Sequence, residues 1–152
     1  MIIRQATVED TVNLISLSKK GNDMHYDVRP DKFNKRNDED YYKMIYATIE
    51  RGYNPYLVAI IDDKFVGYME YTILDRKDKV AYIDQFYVDE EYRKKGVGKA
   101  LMNELEKIAK DIKCDKIELN CWSFNENALD FYYHLGYKNQ RVILEKEIRN
   151  DN

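Results

Sequence analysis

The strongest constraint on this chain lies between residues 56 and 88, where apolar side chains follow the two-residue repeat of strands. "YLVAII" (56–61), an Asp62-Asp63 turn and "KFVGYMEYTIL" (64–74) read as a hairpin, and after the polar turn "DRKDK", "VAYIDQFYV" (80–88) supplies a third strand. Strands joined by such short turns must run antiparallel, because a parallel partner needs a crossover of about a dozen residues or more. Any fold for this chain has to be built on that meander.

Helical periodicity flanks it on both sides. A short strand at about 2–6 leads into "TVEDTVNLISLSKKG", where Thr7 and Asp10 have capping-box spacing, apolar residues follow, and Gly21 is expected to stop the helix. Residues 20–40 are polar, contain Pro30, and read as a loop. A second helix over 38–51 places Tyr42, Ile45, Tyr46 and Ile49 on one face. Beyond the meander come a helix over 96–111 carrying Leu101, Leu105, Ile108 and Ile112, and a strand in "DKIELNC". A helix over 125–135 then stops at Gly136, and a last strand is expected over 137–148. The predicted order is βααβββαβαβ, an α/β (α+β) single domain over 1–152 with a mixed central sheet and helices on both faces.

Charge and composition remove several function classes. A net charge of −3 argues against a nucleic-acid partner, which calls for a basic excess. No apolar run approaches the roughly 20 residues of a membrane span, and Arg4, Glu9 and Asp10 interrupt any leader-like pattern, so no membrane association and a cytoplasmic location are expected. Cys114 and Cys121 read as structural thiols in a reducing compartment. His25 and His134 have no metal-ligand spacing around them, so no metal is implied.

One short stretch points to chemistry. In "EEYRKKGVGKALM" two glycines sit between a basic run and an apolar helix, where unpaired backbone N–H groups and the helix dipole favour an anion. Arg93, Lys94, Lys95 and Lys99 add positive charge, and a pyrophosphate suits such a turn; a solvated basic helix cap is the plain alternative. A Walker-type loop would need Gly at 93 and Ser or Thr at 100, where Arg93 and Ala100 stand. A dinucleotide fingerprint fails at Leu101 and at the antiparallel strands that precede the turn.

The turn "RKKGVG" (93–98), followed after a strand by "NENALDFYYHLGYKNQ", resembles the GNAT superfamily of acyl-CoA-dependent N-acetyltransferases. The second motif matches that family's pattern at Asn125, Ala128, Phe131, Tyr132, Gly136 and Tyr137. The resemblance implies acetyl-CoA as co-substrate. Its pantetheine arm would run along the backbone of Phe86, Tyr87 and Val88, and its pyrophosphate would meet the turn Arg93, Lys94, Lys95, Gly96, Val97, Gly98 and Lys99. Asn125 would bond to the arm, and Tyr132 would bind beside the sulfur and protonate the departing thiolate. By the same resemblance Asp84 is the first candidate for the base that deprotonates an ammonium, with Glu70 on the neighbouring strand as its competitor.

The implied reaction is direct transfer of an acetyl group to a primary amine of a small molecule or peptide, in a monomer or homodimer. The acceptor pocket is expected in the tyrosine-rich segment from Gly21 to Tyr56. Two alternatives stand beside this reading: a non-catalytic acyl-CoA sensor, and an acetyltransferase acting on protein N-termini or lysines.

Overall fold

The computed structural model describes residues 1–149 and contains the expected meander at the centre of a five-stranded sheet. The elements through Leu119 are β1 (Ile2–Gln5), α1 (Thr11–Val28), α2 (Asp38–Arg51), β2 (Tyr56–Ile61), β3 (Lys64–Asp75), β4 (Lys79–Val88), α3 (Val97–Asp111) and β5 (Lys116–Leu119). The strands lie in the order β1-β2-β3-β4-β5, antiparallel as far as β4, with β5 parallel to β4. By its contacts the chain divides into two compact units, one ending at Leu119 and one running from Asn120 onward.

Local chemistry accounts for most of these boundaries. The Thr7 N–H donates to Asp10 Oδ2 at 2.8 Å, closing the cap expected ahead of α1, and Arg4 grips the same carboxylate through two bonds of 2.7 and 3.0 Å. The Arg4 donors first, helped by the Thr7 N–H, hold the Asp10 carboxyl below its ordinary value against the opposing effect of burial. Asn37 caps α2 by accepting from the Asp40 N–H, and Gly52 ends that helix in the left-handed region at φ 75°. Asp62 and Asp63 both have positive φ, as a two-residue hairpin turn between right-twisted strands requires.

Gly21 does not stop α1, which continues to Val28 and shortens the expected loop to residues 29–37. The glycine serves close packing instead: a Cβ there would lie 3.3 Å from the Tyr87 ring. The buried stripe of α2 is also displaced by one residue. Tyr41, Ile45 and Thr48 point inward, whereas Tyr42 is exposed and stacks on Tyr46.

The two faces of the sheet receive different helices. Leu14, Leu17, Tyr41 and Ile45 of α1 and α2 pack with Tyr56, Val58, Ile60 and Tyr68 in one core cluster. On the opposite face Gly67 admits α3 closely, since a Cβ there would meet Val97 Cγ1 at 3.2 Å and Leu101 Cδ1 at 3.4 Å. Fully burying each large apolar side chain contributes roughly 1.5–3 kcal/mol, so this two-sided core is what fixes the strand register.

The unit from Asn120 holds α4 (Glu126–His134), closed by Gly136 at φ 92° and by the Tyr137 N–H donating to the Tyr132 carbonyl at 3.0 Å. The last expected strand is not formed. Residues 137–149 carry no strand, and Val142, Ile143, Leu144 and Ile148 are exposed. The apolar run Val142, Ile143 and Leu144 suits a strand, but a strand exists only where a partner completes its hydrogen bonds. The observed order over the described residues is therefore βααβββαβα.

Candidate active site

The chemistry of the first unit gathers where β2, β3 and β4 run side by side. Tyr56 stands opposite Glu70 in the β2–β3 register, with its hydroxyl placed to favour the ionised Glu70 carboxylate. Between β3 and β4 the pairing passes from Glu70↔Gln85 to Tyr71↔Ile83, leaving Asp84 as the extra residue of a β-bulge. The bulge lets two successive side chains reach the same face. Gln85 accepts from the Tyr68 hydroxyl at 2.7 Å, while Asp84 Oδ2 accepts from Thr72 Oγ1 and, at 3.3 Å, from Asn54 Nδ2.

Glu70 is the perturbed group of this cluster. Burial raises its carboxyl from 4.5 to about 7, the negative charge of Asp84 adds to the rise, and the Tyr56 hydroxyl and Arg51 oppose it. A half-buried carboxyl that exchanges its proton near neutrality, beside a second carboxylate, can both attract an ammonium and deprotonate it. Asn54 and Tyr56 lie in the segment from Gly21 to Tyr56 expected to hold the acceptor pocket, without having been singled out there, and Thr72 was not expected from sequence. The cleft of about 430 Å³ between α1 and the β2–β3 turn, lined by Lys20, Lys64 and Asp89 among others, contains neither carboxylate of this pair.

The glycine turn sits at the start of α3. Lys94 and Gly96 have φ of 60° and 85°, and the helical ladder begins with the Ala100 N–H donating to the Gly96 carbonyl at 3.0 Å. The N–H groups of Val97, Gly98 and Lys99 therefore find no acceptor in that ladder, which is the electropositive end an anion needs. A Cβ at Gly96 would meet nothing within 4 Å, so its glycine answers the backbone angle rather than crowding. The basic side chains are only partly directed to the turn. Arg93 Nε donates back to the Val88 carbonyl at 2.9 Å with its guanidinium over the Tyr87 ring, and Lys95 lies over Tyr92.

Phe86, Tyr87 and Val88 pair with Met69, Tyr68 and Gly67 on the β3 side. On the other side β5 accompanies β4 only as far as Ile83↔Leu119. β5 itself ends at Leu119, so the parallel pairing stops before the segment expected to receive an extended ligand.

In the second unit Asn125 caps α4, its side-chain oxygen accepting from the Ala128 N–H at 3.4 Å. Tyr132 is buried, with Phe131 and Tyr137 set edge-on at ring separations of 5.5 and 5.8 Å. Burial first, then Cys121 and Tyr137, push its phenol well above the usual value, so it keeps its proton at neutral pH. Among the described residues no group of three or more His, Cys, Asp or Glu side chains could hold a metal ion, and no helix is long and apolar enough to cross a membrane.

A two-sided mixed sheet with a glycine turn at the start of the helix that follows its fourth strand is the architecture of an acyl-CoA-dependent acetyltransferase. The sequence model of the Acetyltransferase (GNAT) family matches residues 21–137, more than half of the chain, and the chain belongs to that family. Spermine/spermidine N(1)-acetyltransferase of Bacillus subtilis is 30% identical over 79 residues, covering 48% of this chain and 52% of the relative. Thialysine N-epsilon-acetyltransferase of Bos taurus is 32% identical over 60 residues, covering 40% and 35%. The matched region thus spans about half or less of these curated relatives' length.

Among solved structures, the BH1408 protein of Bacillus halodurans, as a tetramutant, superposes with a TM-score of 0.89 at 27% identity, over 97% of this chain and 100% of that one. Aminoglycoside N-acetyltransferase AAC(6')-Iy in complex with CoA gives 0.77 at 17% identity, over 97% and 95%, a likeness of fold.

Proposed function

We propose that this chain is an N-acetyltransferase that moves the acetyl group of acetyl-CoA directly to a primary amine, with Glu70 as the general base. The observation that carries the reading is the Glu70 carboxyl raised to about 7 beside Asp84. An alkylammonium has a pKa of roughly 10, so only about 0.1% carries a lone pair at neutral pH. A base that exchanges its proton near pH 7 combines adequate strength with a large deprotonated fraction. Asp84, ranked first from sequence, takes the part of a fixed negative charge that attracts the ammonium.

The N–H groups of Val97, Gly98 and Lys99 suit the diphosphate of coenzyme A, and the extended backbone of Phe86, Tyr87 and Val88 suits its arm. Once Glu70 has removed one proton from the ammonium, the amine nitrogen attacks the thioester carbonyl, the C–N bond forms, the C–S bond breaks, and the nitrogen gives up its second proton, which balances the one the sulfur takes. Tyr132, which retains its phenolic proton, is the donor assigned to the departing sulfur. Relatives named for spermine or spermidine and for thialysine make polyamines and lysine-like amines the first acceptors to try.

The test is release of free thiol from acetyl-CoA with a panel of such amines, for wild type and Glu70→Gln. Loss of roughly 10²–10⁴-fold in kcat/KM is expected for the variant. No thiol release with any amine refutes the enzymatic reading, and an unchanged rate in the variant removes Glu70 from the base role.

A further inference from the structure

We infer that residues 141–146 form a strand on a second copy of this chain, pairing antiparallel with the outer edge of that copy's β5, so that two copies exchange segments and make a dimer. The inference is independent of the catalytic assignment. Two incomplete surfaces carry it. β5 is the terminal strand of the sheet and takes its ladder from β4 alone, so among the described residues no strand lies on its other edge. Ile117 and Leu119 are only half-buried although their register partners Ala81 and Ile83 are buried, as expected where a neighbouring strand is lacking.

The second surface is the run Val142, Ile143 and Leu144, which is 73, 82 and 89% exposed in a segment that carries no strand. Three consecutive large apolar residues facing water are what a well-covered surface avoids. Addition of an extended segment to a sheet edge satisfies both surfaces at once, with backbone bonds supplying affinity and alternate side chains supplying specificity.

The sequence selects one register and one direction. Between residues 138 and 149 only Val142 and Leu144 are apolar and two positions apart, so only they can match Ile117 and Leu119 on one face. Antiparallel pairing sets Leu119 against Val142 and Ile117 against Leu144, and the same count brings Lys116 opposite Glu145 and Asp115 opposite Lys146. The parallel alignment of those apolar residues sets Lys116 against Arg141, two like charges. A slip of two residues in either direction loses one apolar pair, and in one of them it opposes Glu118 to Glu145. Lys116 holds Asp78 at 2.8 Å with 48% of its side chain still exposed, so a second acid can reach it. Every copy carries both the edge and the segment, so the exchange is reciprocal and a two-fold axis closes it as a dimer.

Sedimentation equilibrium of the full chain at about 100 µM tests the assembly. Wild type should be a dimer. Leu144→Asp, which puts a charge against Ile117 but alters only an exposed position of the single chain, should weaken the dimer at least about tenfold with an unchanged circular dichroism spectrum, whereas Leu144→Ile should retain it. Disulfide capture tests the register. In a chain carrying Cys114→Ser and Cys121→Ser, a mixture of Lys116→Cys protein with Glu145→Cys protein should oxidise to a covalent dimer.

Monomeric wild type overturns the inference, and so does a dimer that Leu144→Asp leaves equally tight. Absence of the disulfide from the mixture overturns the pairing of these two segments. A monomeric Lys116→Cys, Glu145→Cys double variant that closes a disulfide within one chain does so as well, because the segment then completes its own sheet.

Discussion

Replacing Glu70 by glutamine should make the protein more stable at alkaline pH while disabling it as a catalyst. The fold raises the Glu70 carboxyl from 4.5 to about 7. Between those two values the native state holds a proton that the unfolded chain has lost, so stability falls with rising pH at up to about 1.4 kcal/mol per unit. Over about 2.5 units the gross loss is on the order of 3 kcal/mol, and the solvent-exposed part of the side chain screens it to roughly 1–2 kcal/mol.

Glutamine keeps the volume and cannot ionise, so the variant escapes that loss. Below pH 4.5 both proteins carry a neutral group and this contribution to their difference vanishes. Urea unfolding at about pH 4.5 and about pH 8.5, with equal m-values for the two proteins, measures the change. The stability of the Glu70→Gln variant relative to wild type should grow by about 1–2 kcal/mol between the two pH values, mostly between about pH 5 and pH 7. A difference independent of pH refutes the buried-carboxyl account and with it the base assignment.

Tyr132→Phe should reduce kcat at least about tenfold while the KM for acetyl-CoA changes less than about twofold, because only the hydroxyl is removed and the edge-on ring contacts to Phe131 and Tyr137 remain. Gly96→Ala forces a Cβ into φ 85° with open space around it, so it should cost roughly 1 kcal/mol of stability and raise the KM for acetyl-CoA; unaltered binding would separate the turn from the diphosphate. Asp10→Asn removes the acceptor shared by Arg4 and the Thr7 N–H and should destabilise by about 1–2 kcal/mol at pH 7. Because the Asp10 carboxyl is held below 3.8, its contribution is present above that value and fades as pH falls through the depressed one, the reverse of Glu70. Equal destabilisation at pH 7 and pH 2 would contradict the ion-pair explanation.

The chain's periodicity made the meander, α2, α3 and α4 legible, because core burial and helix ends depend on neighbours three or four residues away. What it hid was register. Counting back from the Asp62-Asp63 turn in a plain ladder sets Tyr56 against Met69, on the wrong face to touch Glu70. Val66 enters as an extra residue where Ala59↔Gly67 gives way to Ile60↔Phe65, and that bulge brings Tyr56 opposite Glu70. The same count from the next turn sets Glu70 against Asp84, and the second bulge replaces Asp84 by Gln85 and sends Asp84 to Thr72.

Neither bulge can be placed from local sequence, since Gly67 beside Val66 does not say which residue is extra and no glycine or proline adjoins Asp84. Their physical cause is the two-sided core: Tyr68 must reach the α1 and α2 side while Gly67 admits Val97 and Leu101 of α3. The candidate acids were readable one at a time because their type is chemical. Their division of labour was not, because it depends on which donors a one-residue slip delivers. Removing either bulge by deleting Val66 or Asp84 should therefore abolish the Glu70 shift more completely than any substitution that leaves the register intact.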